Sequence, residues 1–168
     1  MSSINNFNRV LTWADFIEVE EKPVDTGEGA SIGVTWDDEH EPGRNGNSIY
    51  VKSLIVNILM PDESMNTVVK TKKSNAMLKH EQGHYDIIAL GAREFYKKAL
   101  KLTASSDTEL TEKIDALFTE IKDKADVVDA RYDVKTGHHL KTDVQLAWNT
   151  AIEAAKANKS GTVDDLPT

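Results

Sequence analysis

His80-Glu81-Gln82-Gly83-His84 is an HExxH motif. On a helix, residues four apart lie one above the other, so His80 and His84 offer two imidazoles to one metal ion. Glu81 sits one step round the same turn, placed to act as general base on a metal-bound water without being a ligand. Two histidine ligands, a third ligand from elsewhere and a carboxylate base are the parts of a zinc hydrolase.

The third ligand has to come from another part of the chain. A Gly three residues and a His six residues beyond His84 would complete one known zinc pattern, but Ile87 and Leu90 stand there. Glu109 or Glu112 on the following helix would complete another. Both fall in that helix's first turn, where the helix dipole and a capping box already favour Glu. The run Tyr132-Asp133-Val134-Lys135-Thr136-Gly137-His138-His139 reads as the connection between the second and third helices. Such a loop can bend back over the first helix, which makes the His138–His139 pair the leading candidate beside the two glutamates. Asp133 could accept the ring N–H of a ligand histidine, or simply cap the loop. Tyr132 could donate its hydroxyl to a developing oxyanion, or pack at the end of its helix. Asp86, two residues past His84, points away from the metal face and reads as a structural hydrogen-bonding group. Gly83 lets a strand or a substrate backbone approach the helix closely. His40, in a turn among acids, reads as surface.

The elements that must position these groups follow from periodicity. Val10–Phe16, Ala30–Trp36 and Ser48–Met60 are β-branched or aromatic-rich and read as strands. Between the last two, Asp37–Asn47 reads as a hairpin loop with Asn45-Gly46 its strongest turn signal. In Ser48–Met60, apolar residues fall on both faces (Ile49, Val51, Ile55 and Leu59; Tyr50, Leu54, Ile58 and Met60), predicting a sandwiched strand. Ser74 or Asn75 caps a helix running to about Leu102. Ser106 and Glu109 open a second, with Leu110, Ile114, Leu117, Ile121 and Val128 on its apolar face. A third begins near Thr142, with Gln145 completing a capping box and Val144, Trp148, Ala151 and Ala155 along one side. Trp13, Trp36 and Trp148 read as packing residues. The expectation is an α+β fold: an N-terminal antiparallel β-sheet followed by three helices, one domain over residues 1–157 and a loose tail over 158–168.

Composition sets the outer bounds. The 168 residues are 39% hydrophobic, enough for one domain with its own core. No cysteine is present, so any metal is held by His and carboxylate, which suits a catalytic site better than a structural one. Twenty basic against 28 acidic residues give a net charge of −8. No basic block or basic-aromatic interleaving stands out, which argues against nucleic acid as the partner. No apolar stretch is long enough for a membrane span. The start, Met1 to Asn6, lacks the basic and apolar regions of a signal peptide; if it is the natural start, the ordinary export route is not expected, and the compartment stays open.

Four blocks occur in order: Leu11-Thr12-Trp13-Ala14-Asp15-Phe16, then Leu78 to Ile87 around the HExxH, then Tyr132-Asp133 with Thr136 and His138, then Gln145 with Trp148. Together they resemble the bacterial domain of unknown function 922 family, described as predicted zinc-dependent proteases. The resemblance implies a zincin-like fold with the HExxH on the first long helix. It also implies that His138 matches the family's later histidine, while His139 stands where the family usually has a glycine. Many members carry export signals. The resulting expectation is a zinc metallopeptidase acting on a peptide or protein substrate. Zn2+ is held by His80, His84 and His138, Glu81 is the base, and Tyr132 assists. The edge of Ser48–Met60 is a candidate for pairing with an extended substrate. The alternatives are a hydrolase of a non-protein amide, such as one in the cell wall, and a non-catalytic metal-binding module.

Overall fold

The computed structural model describes residues 1–21 and 29–168. Its strands are β1 (Ser3–Asn5), β2 (Ile17–Val19), β3 (Ala30–Ser31), β4 (Thr35–Asn45), β5 (Ser48–Leu59), β6 (Thr67–Val69) and β7 (Thr103–Ala104). Its helices are α1 (Asn75–Ala99), α2 (Asp107–Thr136) and α3 (Thr142–Ala157). The fold is α+β, with strands first and three helices after them.

β4 and β5 form a long antiparallel hairpin, and Gly46, at φ 59°, makes its tight turn. The acidic stretch expected as a loop is therefore mostly strand. Its carboxylates tolerate that because β4 is the edge of its sheet and most of them face solvent, while Trp36 points into the core. A register irregularity falls between Glu41 and Pro42, where Lys52 of β5 has no partner in β4. Across this bulge the buried phase of β5 slips by one residue: Ile49 and Val51 are buried before it, and Leu54, Val56 and Ile58 after it. One face of β5 is thus buried throughout, and the two apolar faces read from strict alternation are an effect of the bulge. Nor is β5 an open edge for substrate, since β4 covers one side and β1 and β7 share the other. β1 runs parallel to β5, and in a second small sheet β2 runs parallel to β6 while β3 pairs with β6 antiparallel. Both sheets are mixed rather than purely antiparallel. The Val10–Phe16 stretch is not a strand but a turn of 3-10 helix at Trp13–Asp15.

α1 starts at Ser74, whose hydroxyl accepts from the Met77 N–H at 3.1 Å. It runs between the sheet and the other two helices, and most of its residues are buried. Its outer turns hold the N-terminal segment. The Gln82 side chain accepts from the Leu11 N–H (2.8 Å) and donates to Arg9 O (3.1 Å), and Tyr85 Oη donates to Asn6 O (2.8 Å). The last residues are packed as well, in contrast to the loose tail expected from Gly161 and Pro167. Val163 and Leu166 are buried, and the Arg93 guanidinium of α1 donates to Ala155 O, Lys156 O and Gly161 O at 2.5–2.9 Å. These include carbonyls that the end of α3 leaves without an intrahelical partner. Among the described residues no helix is long and apolar enough to cross a membrane.

Candidate metal centre

α2 continues through Tyr132 and Asp133 to Thr136 and stops at Gly137, a left-handed C-cap. The stretch expected as a loop is therefore half helix, and Asp129 and Asp133 stack on it at the four-residue spacing that His80 and His84 have on α1. Glycines let the two helices close up. A Cβ on Gly83 would fall 2.2 Å from Tyr132 Oη, and one on Gly91 would fall 2.9 Å from the Ala125 Cβ. The close neighbour of Gly83 is thus a tyrosine of α2, not a strand or a substrate.

Within this contact, His80 Nε2 and His84 Nε2 are 3.2 Å apart, and Asp133 Oδ1 lies 3.0 Å from each. The outer ring nitrogens are held elsewhere: His84 Nδ1 is 2.7 Å from Asp129 Oδ1, and His80 Nδ1 is 2.9 Å from Gln145 Oε1. The Asp129 carboxylate only accepts. Gln145 spends its amide N–H groups on Tyr132 Oη (2.6 Å) and Asn149 Oδ1 (2.8 Å), which leaves its oxygen for His80. This network assigns the proton to Nδ1 of both histidines and turns both Nε2 lone pairs inward.

Two lone pairs and a carboxylate oxygen converging on one point repel unless a cation sits among them. The electrostatics follow that logic. Burial works against the charged form of His84, but Asp129, Asp133 and Glu81 outweigh it and raise its pKa well above the usual value. Burial would raise Asp133 too, yet its contacts with His80 and His84 hold it well below the carboxylate range. A metal ion answers the same demand. Ligand atoms about 2.0–2.2 Å from a tetrahedral zinc stand roughly 3.3 Å from one another, close to the 3.0–3.2 Å triangle found here. His80, His84 and Asp133 thus form a group that could hold a metal ion.

Glu81 is buried beside this group and shares with it the wall of a cavity of about 110 Å³. Gly29–Ile32, Met77, Asp129, His138 and His139 also line the wall, and no Lys or Arg does so among the described residues. His138 Nδ1 is 3.2 Å from Asp133 Oδ1, beside the triangle. Tyr132 differs from its expected place. It is fully buried and stacked on the His80 ring (4.7 Å, 18°), donates to His80 O at 3.1 Å, and is not part of the cavity wall. Its hydroxyl is committed to holding His80, not turned towards a reacting carbonyl. Glu109 caps the start of α2 through Ser105 and pairs with Lys113 at 2.8 Å. At 1.5 Å per residue it lies about 36 Å along the helix from Asp133, which removes it and Glu112 as ligands. Asp86 accepts from Gln82 and Lys156, the structural role expected of it, and His40 pairs with Asp38, remote from the cavity wall.

Two residues were missed by sequence reasoning. Asp129 carried a legible signal, its four-residue spacing from Asp133, hidden because the run from Tyr132 to His139 reads as the connection to the third helix. Gln145 was read as a capping residue. α3 has no side-chain cap, and Gln145 is buried against His80 instead.

Two packed helices carrying a His-His-carboxylate group on a small polar cavity define a possible metal-binding protein. The chain belongs to the family described as bacterial protein of unknown function (DUF922), which matches residues 31–139. That span contains His80, Glu81, His84, Asp129, Asp133, His138 and His139, while Gln145 lies beyond it. No curated protein and no solved structure matches the chain.

Proposed function

We propose that this protein is a zinc-dependent hydrolase, and specifically a peptidase. The observation that carries the reading is the convergence of His80 Nε2, His84 Nε2 and Asp133 Oδ1 beside a buried Glu81. Two imidazoles and one carboxylate are a donor set of catalytic zinc, and zinc bound there would supply a Lewis acid that polarises a carbonyl and acidifies water. Glu81 removes the proton from the attacking water and returns it to the leaving nitrogen, the role a carboxylate one residue past the first histidine is placed for. Its burial removes competing solvent. Asp129 and Gln145 keep both ligand imidazoles in the tautomer that faces inward. Tyr132 fixes the plane of His80 by stacking and by its bond to the backbone.

The test is a peptide library read by mass spectrometry, with zinc content measured in parallel. Wild type should cleave and hold near one zinc per chain. Glu81→Gln should keep the zinc and lose roughly 10²–10⁴ in rate, the usual contribution of a general base. Cleavage by Glu81→Gln at the wild-type rate would remove Glu81 from the chemistry. A zinc-loaded wild type inert on every peptide would end the peptidase reading.

A further inference from the structure

Gly137, His138 and His139 follow one another at φ 58°, 50° and 71°. Three successive left-handed residues close α2 and turn the chain towards α3. Glycine adopts this conformation freely at the cap. For a histidine it brings Cβ against the carbonyl oxygen that follows, a penalty that glycine escapes. Two backbone bonds close the turn, Leu140 N–H to Gly137 O (3.1 Å) and Lys141 N–H to Thr136 O (2.9 Å), and the His139 ring is hydrogen-bonded to the His138 backbone. Neither of the two backbone bonds calls for a histidine at position 138. Strain of this kind, kept beside a cluster of potential ligands, points to the side chains.

The two imidazoles are not equivalent. Both line the cavity, but His138 Nδ1 lies 3.2 Å from Asp133 Oδ1, the oxygen that also meets His80 and His84. The His138 ring centre is 6.3 Å from that of His80, against 4.8 Å between His80 and His84, so it stands beside the triangle and not within it. His80 has an outer partner in Gln145 and His84 has one in Asp129. A carboxylate ligand needs such a partner as much as an imidazole does, because it can swing about its last side-chain bond.

We propose that His138 is a positioning residue of the metal centre: its Nδ1–H donates to Asp133 Oδ1 and holds that carboxylate in the orientation that completes the group with His80 and His84. Each of the three metal-holding side chains then has one outer partner, and the left-handed backbone at His138 is the cost of supplying the third. This inference rests on the metal-binding reading above. It assigns His138 a different place from the inner ligand position that the family resemblance implies.

The experiment compares the full chain with His138→Gly, His138→Asn and His139→Gly. Zinc affinity is measured by competition with a chromophoric chelator, visible absorption is recorded after cobalt loading, and thermal unfolding is followed in chelator. Both glycine variants relieve a left-handed residue and should hold or raise the Tm. His138→Gly should nevertheless weaken zinc binding by about 10–100-fold, the usual effect of losing an outer partner, with His139→Gly within about twofold of wild type. The cobalt absorption of His138→Gly should keep the wild-type band shape, and His138→Asn, which tolerates the backbone and retains an N–H donor, should recover part of the affinity. Unchanged affinity in His138→Gly would overturn the proposal. So would a loss beyond about a thousandfold with a collapsed cobalt band, which would make His138 an inner ligand. A fall in the chelated Tm of both His138 variants would also overturn it, by making His138 a packing residue. A wild type that takes up neither zinc nor cobalt would defeat the metal reading itself, an outcome distinct from all of these.

Discussion

Asp133 Oδ1 stands within 3.2 Å of three imidazole nitrogens, and no other acceptor among the described residues is so placed. Its removal should be felt by the metal before the fold. Asp133→Asn keeps the shape but puts a neutral amide where two inward lone pairs need a cation and its counter-charge. We expect its zinc affinity to fall more than the roughly 10–100-fold typical of losing an outer partner, as read by equilibrium dialysis. An affinity within that range would demote Asp133 to an outer role. At this scale the HExxH was legible because its spacing is local: four residues on one helix decide which side chains share a face. Asp133 was legible only as an outer partner. Whether a carboxylate meets a metal or a histidine N–H depends on a distance of an ångström or two set by helix packing, and no spacing in the chain encodes that.

Between elements, the contact of α1 with α2 decides whether the site exists. Gly83 lies directly against a tyrosine ring of α2 that is held between His80 at 4.7 Å and Trp148 at 5.3 Å. Gly83→Ala would gain about 1 kcal/mol of helix propensity. It would also force Cβ to within 2.2 Å of Tyr132 Oη, in a ring that has no room to swing. Overpacking of this kind costs about 1–3 kcal/mol, so the net effect in urea unfolding should be a loss. Zinc affinity should fall with it, because His80 rides on the displaced ring. A stabilised variant with intact metal binding would mean that the helices can part at no cost. The starts of α1 and α2 were readable from Ser74 and Ser106, whose hydroxyls do cap. The end of α2 was misplaced although Gly137 marked it, because the polar run before that glycine resembled a loop. The bulge at Lys52 could not be read from β5 alone, since it exists only relative to the register of β4.

Over the whole molecule, α1 is the member to which the rest is fastened. Gln82 and Tyr85 hold the N-terminal segment, Gly83 and Gly91 admit α2, and Arg93 gathers the end of α3 with the last residues. Phe7 lies under Arg93 at 4.8 Å and joins the two ends of the chain to the same helix. Arg93→Ala would leave buried carbonyls without a donor, at about 1–3 kcal/mol for such a group. It should make the segment after Asn158 the first site of limited proteolysis, while α1 and α2 remain resistant. Simultaneous loss of all elements would show that the tail is not a separable layer. The chain by itself determined the α+β order, the three helices, the His80–His84 pair with its neighbouring Glu81, and a donor set restricted to nitrogen and oxygen. All of these follow from local periodicity or from composition. Tertiary structure alone decided that Asp133 joins the two histidines, that Gln145 and Asp129 set their tautomers, and that Tyr132 supports His80 from behind. Those relations join residues 45 to 65 positions apart, and they exist only once burial of the α1 faces has drawn α2 and α3 into contact.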